Sequence, residues 1–292
     1  MAQPAERPGG LTNLQKRILS AAVLLPLVIA AILLGHPYFT LLVAAFAGIM
    51  SWEWTAVAAH EGRPPSASPA PMPTAPGWRS IALLAVVTAV AAVLNTGFEG
   101  SAMRIAGGII GGAVLTGIAA LVTCRRRAGW FMAGVPYVAL PAVALVAIRA
   151  EPEVGRAALV WIIALVVAAD TGGYLVGRTV GGPKLAPRIS PNKTWSGLGG
   201  AVLGAAVAGI LIGFMLNHTN VWMLTLISAG LGLIEQAGDL VESAFKRHFG
   251  VKDTSHIIPG HGGVLDRVDG LLAVAVAVLV ANEWAGGSVL TW

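Results

Sequence analysis

Residues 238–269 read GDLVESAFKRHFGVKDTSHIIPGHGGVLDRVD and lie between two long apolar runs. Charged side chains are costly at or near the hydrocarbon of a bilayer. Where they occur, they tend to face a bundle interior, pair with one another and mark the path of a substrate or an ion. We therefore expect this stretch to join two membrane-spanning helices and to form a functional site at the membrane boundary.

The composition of the whole chain supports a membrane protein. Of its 292 residues, 56% are hydrophobic and only 11% are charged, whereas soluble domains carry about 25% charged residues. Apolar runs recur along the chain, each near the roughly 20 residues that a helix needs to span a bilayer. The runs are continuous and do not alternate with polar residues, which favours helices over a β-barrel. The sequence predicts an all-α, polytopic integral membrane protein.

About nine spans are expected, with an uncertainty of about one. They lie at residues 18–34, 38–59, 80–94, 105–123, 130–148, 157–176, 197–216, 221–243 and 263–284. The chain then divides into an N-terminal tail with two spans (1–60), a Pro/Ala-rich cytoplasmic linker (61–78), the middle transmembrane helices (79–156) and a C-terminal catalytic transmembrane region (157–292).

The distribution of basic residues predicts the orientation. Of the 19 Lys and Arg residues, all but Arg104, Arg149 and Arg156 fall in the N-terminal tail or in the even-numbered loops. By the positive-inside rule, the N-terminus and these loops, including that of residues 238–269, are cytoplasmic. We expect the plasma (inner) membrane as the location, because no organelle-targeting segment is visible. The net charge of +5 comes with no separate basic domain, so nucleic acid is not an expected partner.

Acidic residues are spaced for a shared site. Glu235, Asp239 and Glu242 stand at i, i+4 and i+7 of the eighth span, which places their carboxylates on one face. Asp266 and Asp269 follow at the start of the ninth span. Like charges held together in a low dielectric would become protonated unless a cation lies among them. Oxygen ligands without Cys or clustered His predict magnesium or manganese rather than zinc.

Basic residues come between these acids. The loop is expected to supply Ser243, Lys246, Arg247, Lys252 and Arg267, which suit phosphate oxygens. Acids that hold a metal and bases that hold phosphates together predict phosphoryl or nucleotidyl transfer.

A glycine-rich turn precedes the ninth span. The glycines of residues 259–263 let the backbone approach a ligand, and the helix N-terminus that follows favours anions. His261 in this turn has two equal interpretations, as a general acid or base and as a hydrogen-bonding scaffold residue.

A second polar cluster lies at ADTGGYLVGR (169–178) and KLAPRISPNKTWSG (184–197). Asp170, Tyr174 and Arg178 recur every four residues at the end of the sixth span and share a face. The loop that follows is basic and rich in hydroxyls. A solvated positive-inside loop explains its charges about as well as a binding site does, but it does not explain Asp170 inside an apolar helix.

Two further features have structural interpretations. Gly200 and Gly204, then Gly209 and Gly213, have the four-residue spacing that lets helices approach closely, so we expect them to serve packing rather than ligand binding. Glu53 in the second span has no partner motif and is expected to be structural.

These residues carry a resemblance to a known family. The stretch 238–269 closely resembles the signature of the CDP-diacylglycerol synthases, also called phosphatidate cytidylyltransferases, and 169–197 is similar to a second motif of that family. The matching positions of the signature are Ser243, Lys246, Arg247, Lys252, Asp253, Pro259, His261, Gly262, Gly263, Asp266, Arg267 and Asp269. The resemblance is strong over residues 157–272. Ser196 stands where the family has Glu, and Gly270 where Ser is usual.

The resemblance implies an activity. Members of the family join CTP and phosphatidate into CDP-diacylglycerol and pyrophosphate, a step of phospholipid biosynthesis. The lipid phosphate attacks the α-phosphorus of CTP and is already a nucleophile, so catalysis needs charge neutralisation and alignment rather than a strong base. The implied partners are CTP, phosphatidate and the bilayer, and a homodimer is left open.

The resemblance also implies roles for individual residues. Magnesium (manganese is the alternative, and a second cation is left open) would be held by Asp239 and Asp266, with Asp269 or Glu242 nearby. The other catalytic candidates are Lys246, Arg247, Lys252, Asp253, His261 and Arg267. The substrate-binding candidates are Ser190, Lys193, Thr194, Ser243, Gly262, Gly263, Asp170 and Arg178.

Two alternatives stay open on the sequence. Another membrane transferase, such as a CDP-alcohol phosphotransferase or a prenyl-phosphate sugar transferase, is the first, although the Asp-Gly and Ala-Arg pattern of the former is not found. A cation or phosphate transporter is the second, and it should place its site near the midplane with discontinuous helices.

Overall fold

A computed structural model describes residues 13–60, 77–98, 100–216, 220–258 and 262–292. The described chain is helical apart from one small hairpin. The helices are α1 Asn13–Leu34, α2 Tyr38–Ala58, α3 Trp78–Gly97, α4 Ala102–Thr123, α5 Ala128–Ala150, α6 Gly155–Thr179, α7 Trp195–Met215, α8 Val221–His248 and α9 Leu265–Ala285. Strands β1 Lys184–Ala186 and β2 Ser190–Thr194 pair antiparallel, and short 3₁₀ helices cover Arg125–Arg127 and Val289–Thr291.

The helices are those of a polytopic membrane protein. In the described part of the chain, eight of them, α2 to α9, are long and apolar enough to cross a bilayer. In α1 the apolar segment is the shorter Ala22–Leu34. The predicted fold class is therefore confirmed, with the count of nine spans as an approximation. Most of the predicted linker, residues 61–76, lies outside the described residues.

One predicted boundary is wrong, and it affects the site. Hydropathy predicts that the eighth span ends at residue 243 and that Lys246 and Arg247 lie in a loop, but α8 continues to His248. Ser243 is likewise helical. The helix continues beyond the end of the apolar run. Basic side chains in its last turn interact favourably with the helix dipole and project from the membrane region. These side chains therefore have fixed positions on a helix.

Alternate helix connections lie on the same face of the bundle. Arg127, between α4 and α5, donates a hydrogen bond to the carbonyl oxygen of His60, just after α2. Trp130 of α5 lies against His248 at the end of α8, with ring centroids 4.9 Å apart. The connections α2–α3, α4–α5 and α8–α9 thus share one face, as the predicted topology requires.

Glycines bring α6, α7 and α8 into close contact. A Cβ atom added at Gly200 would lie 2.5 Å from the carbonyl oxygen of Gly172, and one at Gly204 would meet the carbonyl of Ala168. At Gly209 it would lie 2.5 Å from the hydroxyl of Ser228 on α8. The packing role predicted for these glycines is confirmed, and it places the polar ends of the three helices side by side.

Candidate active site

A cavity of about 470 Å³ opens where α6, α7, α8 and the β-hairpin meet. Its volume lies within the range of small-molecule sites. Its walls contain three basic side chains and two carboxylates, a mixture that suits a polyphosphate together with a cation. The lining residues are Asp170, Gly173, Tyr174, Gly177, Arg178, Lys184, Asn192, Lys193, Thr194, Gly197, Leu198, Gln236 and Asp239.

Lys193 joins the two polar clusters of the sequence. Its Nζ atom, on β2, lies 2.7 Å from Oδ2 of Asp239 on α8 and 2.9 Å from Oε1 of Gln236. The other oxygen of Asp239 accepts a hydrogen bond from the Ser243 hydroxyl at 3.1 Å. The hairpin and α8 therefore form one site. Gln236 was missed by the sequence analysis, although its position directly after Glu235 in an apolar helix was a signal.

A pair of carboxyl groups lies at the base of this cavity. Asp170 on α6 and Glu235 on α8 lie within electrostatic range of each other. Glu235 is fully buried and also accepts a hydrogen bond from Nε2 of Gln236 at 2.9 Å. Asp170, an unusual residue in an apolar helix, thus faces the cavity and lies near a second acidic residue.

A buried ion-pair network lies next to the cavity. Nζ of Lys246 lies 2.6 Å from Oε2 of Glu242 and 2.9 Å from Oδ1 of Asp266, so it links α8 to α9. Glu242 is fully buried, and its Oε1 atom has no hydrogen-bond partner in the described chain. A buried acceptor left in this way is costly. Lys246 holds a carboxylate of α8 and one of α9 close together.

Asp266 organises the segment before α9. Its oxygens accept hydrogen bonds from the backbone and hydroxyl of Thr254 and, at 2.9 Å, from the backbone nitrogen of Gly263. Together with Lys246, these donors use both carboxylate oxygens. Thr254 was not among the predicted residues, although it lies between two polar residues of the motif.

Glu53 of α2 holds the same segment from the other side. Its side chain is fully buried and accepts hydrogen bonds from the backbone nitrogens of Val264 (2.9 Å) and Leu265 (2.8 Å) and from the hydroxyl of Ser255 (2.5 Å). It therefore satisfies the N-terminus of α9, where a carboxylate is favourable. The structural interpretation of Glu53 agrees with these contacts, which also tie α2 to the motif.

Asp269 faces the acidic side chains of α8. It interacts electrostatically with Asp239 and Lys246, and its Oδ1 atom accepts a hydrogen bond from the backbone of Gly270 at 2.8 Å. The partly buried Tyr137 of α5 lies within electrostatic range of Glu242, Asp269 and Asp239. The carboxylates of α8 and α9 therefore converge around one region.

Other predicted residues stabilise the surroundings. Arg247 donates hydrogen bonds to the carbonyl oxygens of Val251 (2.9 Å) and Ile189 (3.3 Å), and so links the end of α8 to the hairpin. Thr194 caps α7 by accepting a hydrogen bond from the backbone nitrogen of Gly197 at 3.0 Å.

The remaining predicted positions are less engaged with the cavity. Arg178 lines it and donates a hydrogen bond to the hydroxyl of Tyr174 at 2.5 Å. Ser190 begins β2, Lys252 is exposed and Asp253 is half-buried, and Gly262 has a φ of 91°, which favours glycine. His261 lies in 259–261, outside the described residues, so both of its interpretations stay predictions.

The arrangement of acids bears on the metal prediction. Within the described ranges, no three His, Cys, Asp or Glu side chains are arranged to hold a metal ion as they stand. Lys193 and Lys246 supply part of the positive charge that the sequence analysis assigned to a cation alone. Metal binding therefore stays a prediction.

Comparison with known proteins gives the family. The model of the cytidylyltransferase family matches residues 15–284, which is most of the chain. The chain belongs to the cytidylyltransferase family. The family that the motifs indicated is thus confirmed, and so is the enzyme class, a nucleotidyltransferase. Within this family of membrane enzymes, the cavity and the residues around it are the candidate active site.

Two named relatives are similar over nearly their whole length, and a third is similar over a shorter segment. The phosphatidate cytidylyltransferase of Brucella suis is 36% identical over 266 residues, covering 91% of this chain and 92% of the relative. That of Pseudomonas aeruginosa is 32% identical over 286 residues, covering 94% and 98%. That of Staphylococcus epidermidis is 49% identical over 106 residues, covering 36% and 41%.

Ser196 and Gly270, which depart from the family motif, both make contacts with neighbouring elements. The hydroxyl of Ser196 donates a hydrogen bond to the carbonyl oxygen of Gly181, so it fastens the start of α7 to the turn after α6. Gly270 packs against Glu235, and a Cβ atom there would lie 2.7 Å from Oε1 of Glu235. Glycine at 270 therefore leaves room for the side chain of Glu235.

Proposed function

We propose that this protein is a magnesium-dependent cytidylyltransferase that converts CTP and phosphatidate into CDP-diacylglycerol and pyrophosphate. An oxygen of the lipid phosphate forms a bond to the α-phosphorus of CTP. The bond between that phosphorus and the bridging oxygen to the β-phosphate breaks, and pyrophosphate leaves with the electron pair. The observation that carries the proposal is the contact of Lys193 with Asp239, which joins both family motifs in one cavity of suitable size and charge.

The basic residues of the cavity are suited to bind the triphosphate. Arg178, Lys184 and Lys193 line its wall, and their side chains offer charged hydrogen-bond donors for phosphate oxygens. Arg267 lies at the start of α9 and interacts electrostatically with Asp170. This places a further positive charge near the cavity for the second anionic substrate. Attraction to these cations brings together two anions that repel each other in water.

Three acidic residues are candidates to hold a divalent cation, and their side chains would have to rearrange to do so. Glu242 has an oxygen without a hydrogen-bond partner in the described chain, and Asp239 and Asp269 interact electrostatically across the gap between α8 and α9. These three are the first candidates to hold magnesium, which would neutralise charge on the triphosphate and on the leaving pyrophosphate. Asp266 is the fourth candidate, and it would have to release some of its present donors to take this role.

We further propose that the site faces the cytoplasm and that the membrane is the plasma (inner) membrane. The basic residues assigned to the tail and even-numbered loops support this orientation by the positive-inside rule. It would also place the cavity on the side of the membrane where nucleotides are present.

The direct test of the reaction uses the purified full chain in mixed micelles with phosphatidate, magnesium and each of CTP, dCTP, ATP and UTP. We expect a nucleotide-linked lipid and pyrophosphate with the cytidine nucleotides only. Absence of any nucleotide-linked lipid, from protein that is monodisperse and folded, would refute the assignment. Equal product from ATP or UTP would refute the preference for cytidine.

A further inference from the structure

An apolar groove lies beside the N-terminus of α9 and shares no lining residue with the polar cavity. It has a volume of about 640 Å³ and is lined by α1, α2, the segment before α9 and the first turn of α9. Val23 and Leu24 of α1, Ile49 of α2 and Ile257 are among its apolar residues. Within the described chain α1 packs less extensively than the other membrane helices do, and the groove lies between it and the bundle.

The groove continues into the bundle. A second apolar cavity of about 140 Å³ shares Val28, Phe46 and Val268 with it and reaches Ile32 of α1. From Leu19 to Ile32 the apolar surface follows about 20 Å of helix, at roughly 1.5 Å per residue. This exceeds the roughly 15 Å thickness of one hydrocarbon leaflet, half of the bilayer core. The surface is therefore long enough to accompany a lipid acyl chain through its leaflet.

One residue joins this surface to the polar site. Arg267 lines the apolar groove, and it interacts electrostatically with Asp170, which lines the polar cavity. Its neighbour Val268 lines both apolar cavities. A ligand that fills the groove thus has hydrocarbon along α1 and α2 and a cation at the end nearest the active site. This distribution of charge and apolar surface matches an acyl chain that ends in an anionic phosphate.

We propose that the groove binds one acyl chain of the phosphorylated diacyl lipid substrate, with the phosphate of the same molecule at Arg267. The proposal rests on the proposed function and adds to it the location of the lipid tail. It makes α1 and α2 part of substrate recognition, although the motifs lie in the C-terminal half of the chain. The lipid then approaches from the side of α1, while the nucleotide occupies the cavity between α6 and α8.

The test fills the groove with a larger side chain. Val23 and Leu25 of α1 are both 61% exposed, but only Val23 lines the groove. Val23→Trp and the matched control Leu25→Trp are assayed in mixed micelles with dioleoyl and with dihexanoyl phosphatidate. For Val23→Trp we expect KM for the dioleoyl lipid to rise at least about 10-fold, which corresponds to losing contact with about two methylene groups. KM for the dihexanoyl lipid and for CTP, and all constants of Leu25→Trp, should stay within about 2-fold of the parent protein.

Equal effects of Val23→Trp on both lipids, equal effects of the two variants, or no effect would each overturn the proposal. A binding measurement separates it from the reaction itself. Phosphatidate with a photoreactive acyl chain should crosslink to peptides of α1, α2 and the start of α9 in the parent protein, and less in Val23→Trp. If no nucleotide is transferred to any lipid, the proposed reaction fails while this crosslink still reports on the groove. Crosslinks spread evenly over all helices would exclude the groove as a lipid site.

Discussion

Asp239 accepts contacts from two sides, from Lys193 on the hairpin and from Ser243 on its own helix. Its carboxylate therefore lies where the polar cavity meets the acidic region between α8 and α9. At this position a negative charge both orients Lys193 and contributes to the candidate cation site. An amide of the same shape keeps the hydrogen-bonding capacity and removes the charge.

We expect Asp239→Asn to reduce kcat at least about 100-fold, the scale of losing one electrostatic contact to a transition state. The measurement is incorporation of labelled CTP into lipid, with circular dichroism and elution volume to check folding. Glu283→Gln at the opposite end of α9 is the control and should keep the parent rate. A kcat for Asp239→Asn within a few-fold of the parent value would show that Asp239 does not contribute to catalysis.

Glu53 acts on the same motif through backbone groups. Its two oxygens accept from Val264 and Leu265, so a glutamine side chain would turn an amide donor toward at least one backbone donor. Leaving a buried donor unsatisfied costs about 1–3 kcal/mol. For Glu53→Gln we expect faster hydrogen exchange at residues 262–266 and a lower melting temperature in detergent.

Glu151→Gln, in the connection between α5 and α6 on the other face of the bundle, is the control for Glu53→Gln. It should leave exchange at residues 262–266 unchanged. Unaltered exchange in Glu53→Gln itself would mean that the contact with α2 does not hold the start of α9.

At the scale of elements, glycine faces determine how α6, α7 and α8 meet. Gly204 of α7 faces the backbone of Ala168 on α6, whereas Gly199 on the same helix has nothing within 4 Å of an added Cβ atom. Backbone cannot move aside as a flexible side chain can. The close approach of α6 to α7 therefore depends on the residue at 204 and not on the one at 199.

We expect Gly204→Ala to lower the melting temperature in detergent and to destabilise the fold by about 1–3 kcal/mol, the usual cost of overpacking. Gly199→Ala should be neutral or slightly stabilising, because alanine is the better helix former. The comparison is made by thermal unfolding of both variants in the same micelles. Equal melting temperatures for the two variants would contradict the packing of α6 against α7.

At the scale of the whole molecule, the chain has one natural probe of its orientation. Cys124, the single cysteine, is partly exposed and lies between α4 and α5 beside three arginines. If this face is cytoplasmic, a membrane-impermeant maleimide should label Cys124 in permeabilised cells and not in intact spheroplasts. Cys124→Ser controls for nonspecific labelling. Labelling of intact spheroplasts to the same extent would reverse the proposed orientation.

The metal proposal is also tested on the whole protein. Exhaustive chelation of divalent cations should abolish product formation. Without a bound cation, nothing would neutralise the repulsion between the carboxylates of α8 and α9 and the triphosphate of CTP. Added magnesium should restore the rate, and addition of potassium at equal ionic strength should not. Undiminished synthesis after chelation would show that the lysines of the site suffice without a divalent ion.

The sequence by itself determined the membrane class, the helical fold and the enzyme family. Continuous apolar runs can satisfy their backbone groups in lipid only as helices, and the spacing of the motif within 238–269 is local information. Helix periodicity also brought Asp239 and Glu242 to one face of α8. These properties depend on composition and on neighbours along the chain, so the sequence was enough to predict them.

Only the tertiary structure decided which charges neutralise one another. Lys193 pairs with Asp239, and Lys246 lies between Glu242 and Asp266, where the sequence analysis had assigned the compensating charge to a metal. Two of these contacts join different elements, Lys193 of β2 to Asp239 of α8 and Lys246 of α8 to Asp266 of α9, and they depend on how those elements pack rather than on spacing along the chain. The same reason explains why the cap from α2 onto α9 and the apolar groove beside it could not be foreseen. Each depends on residues far apart in sequence that meet only when the bundle has packed.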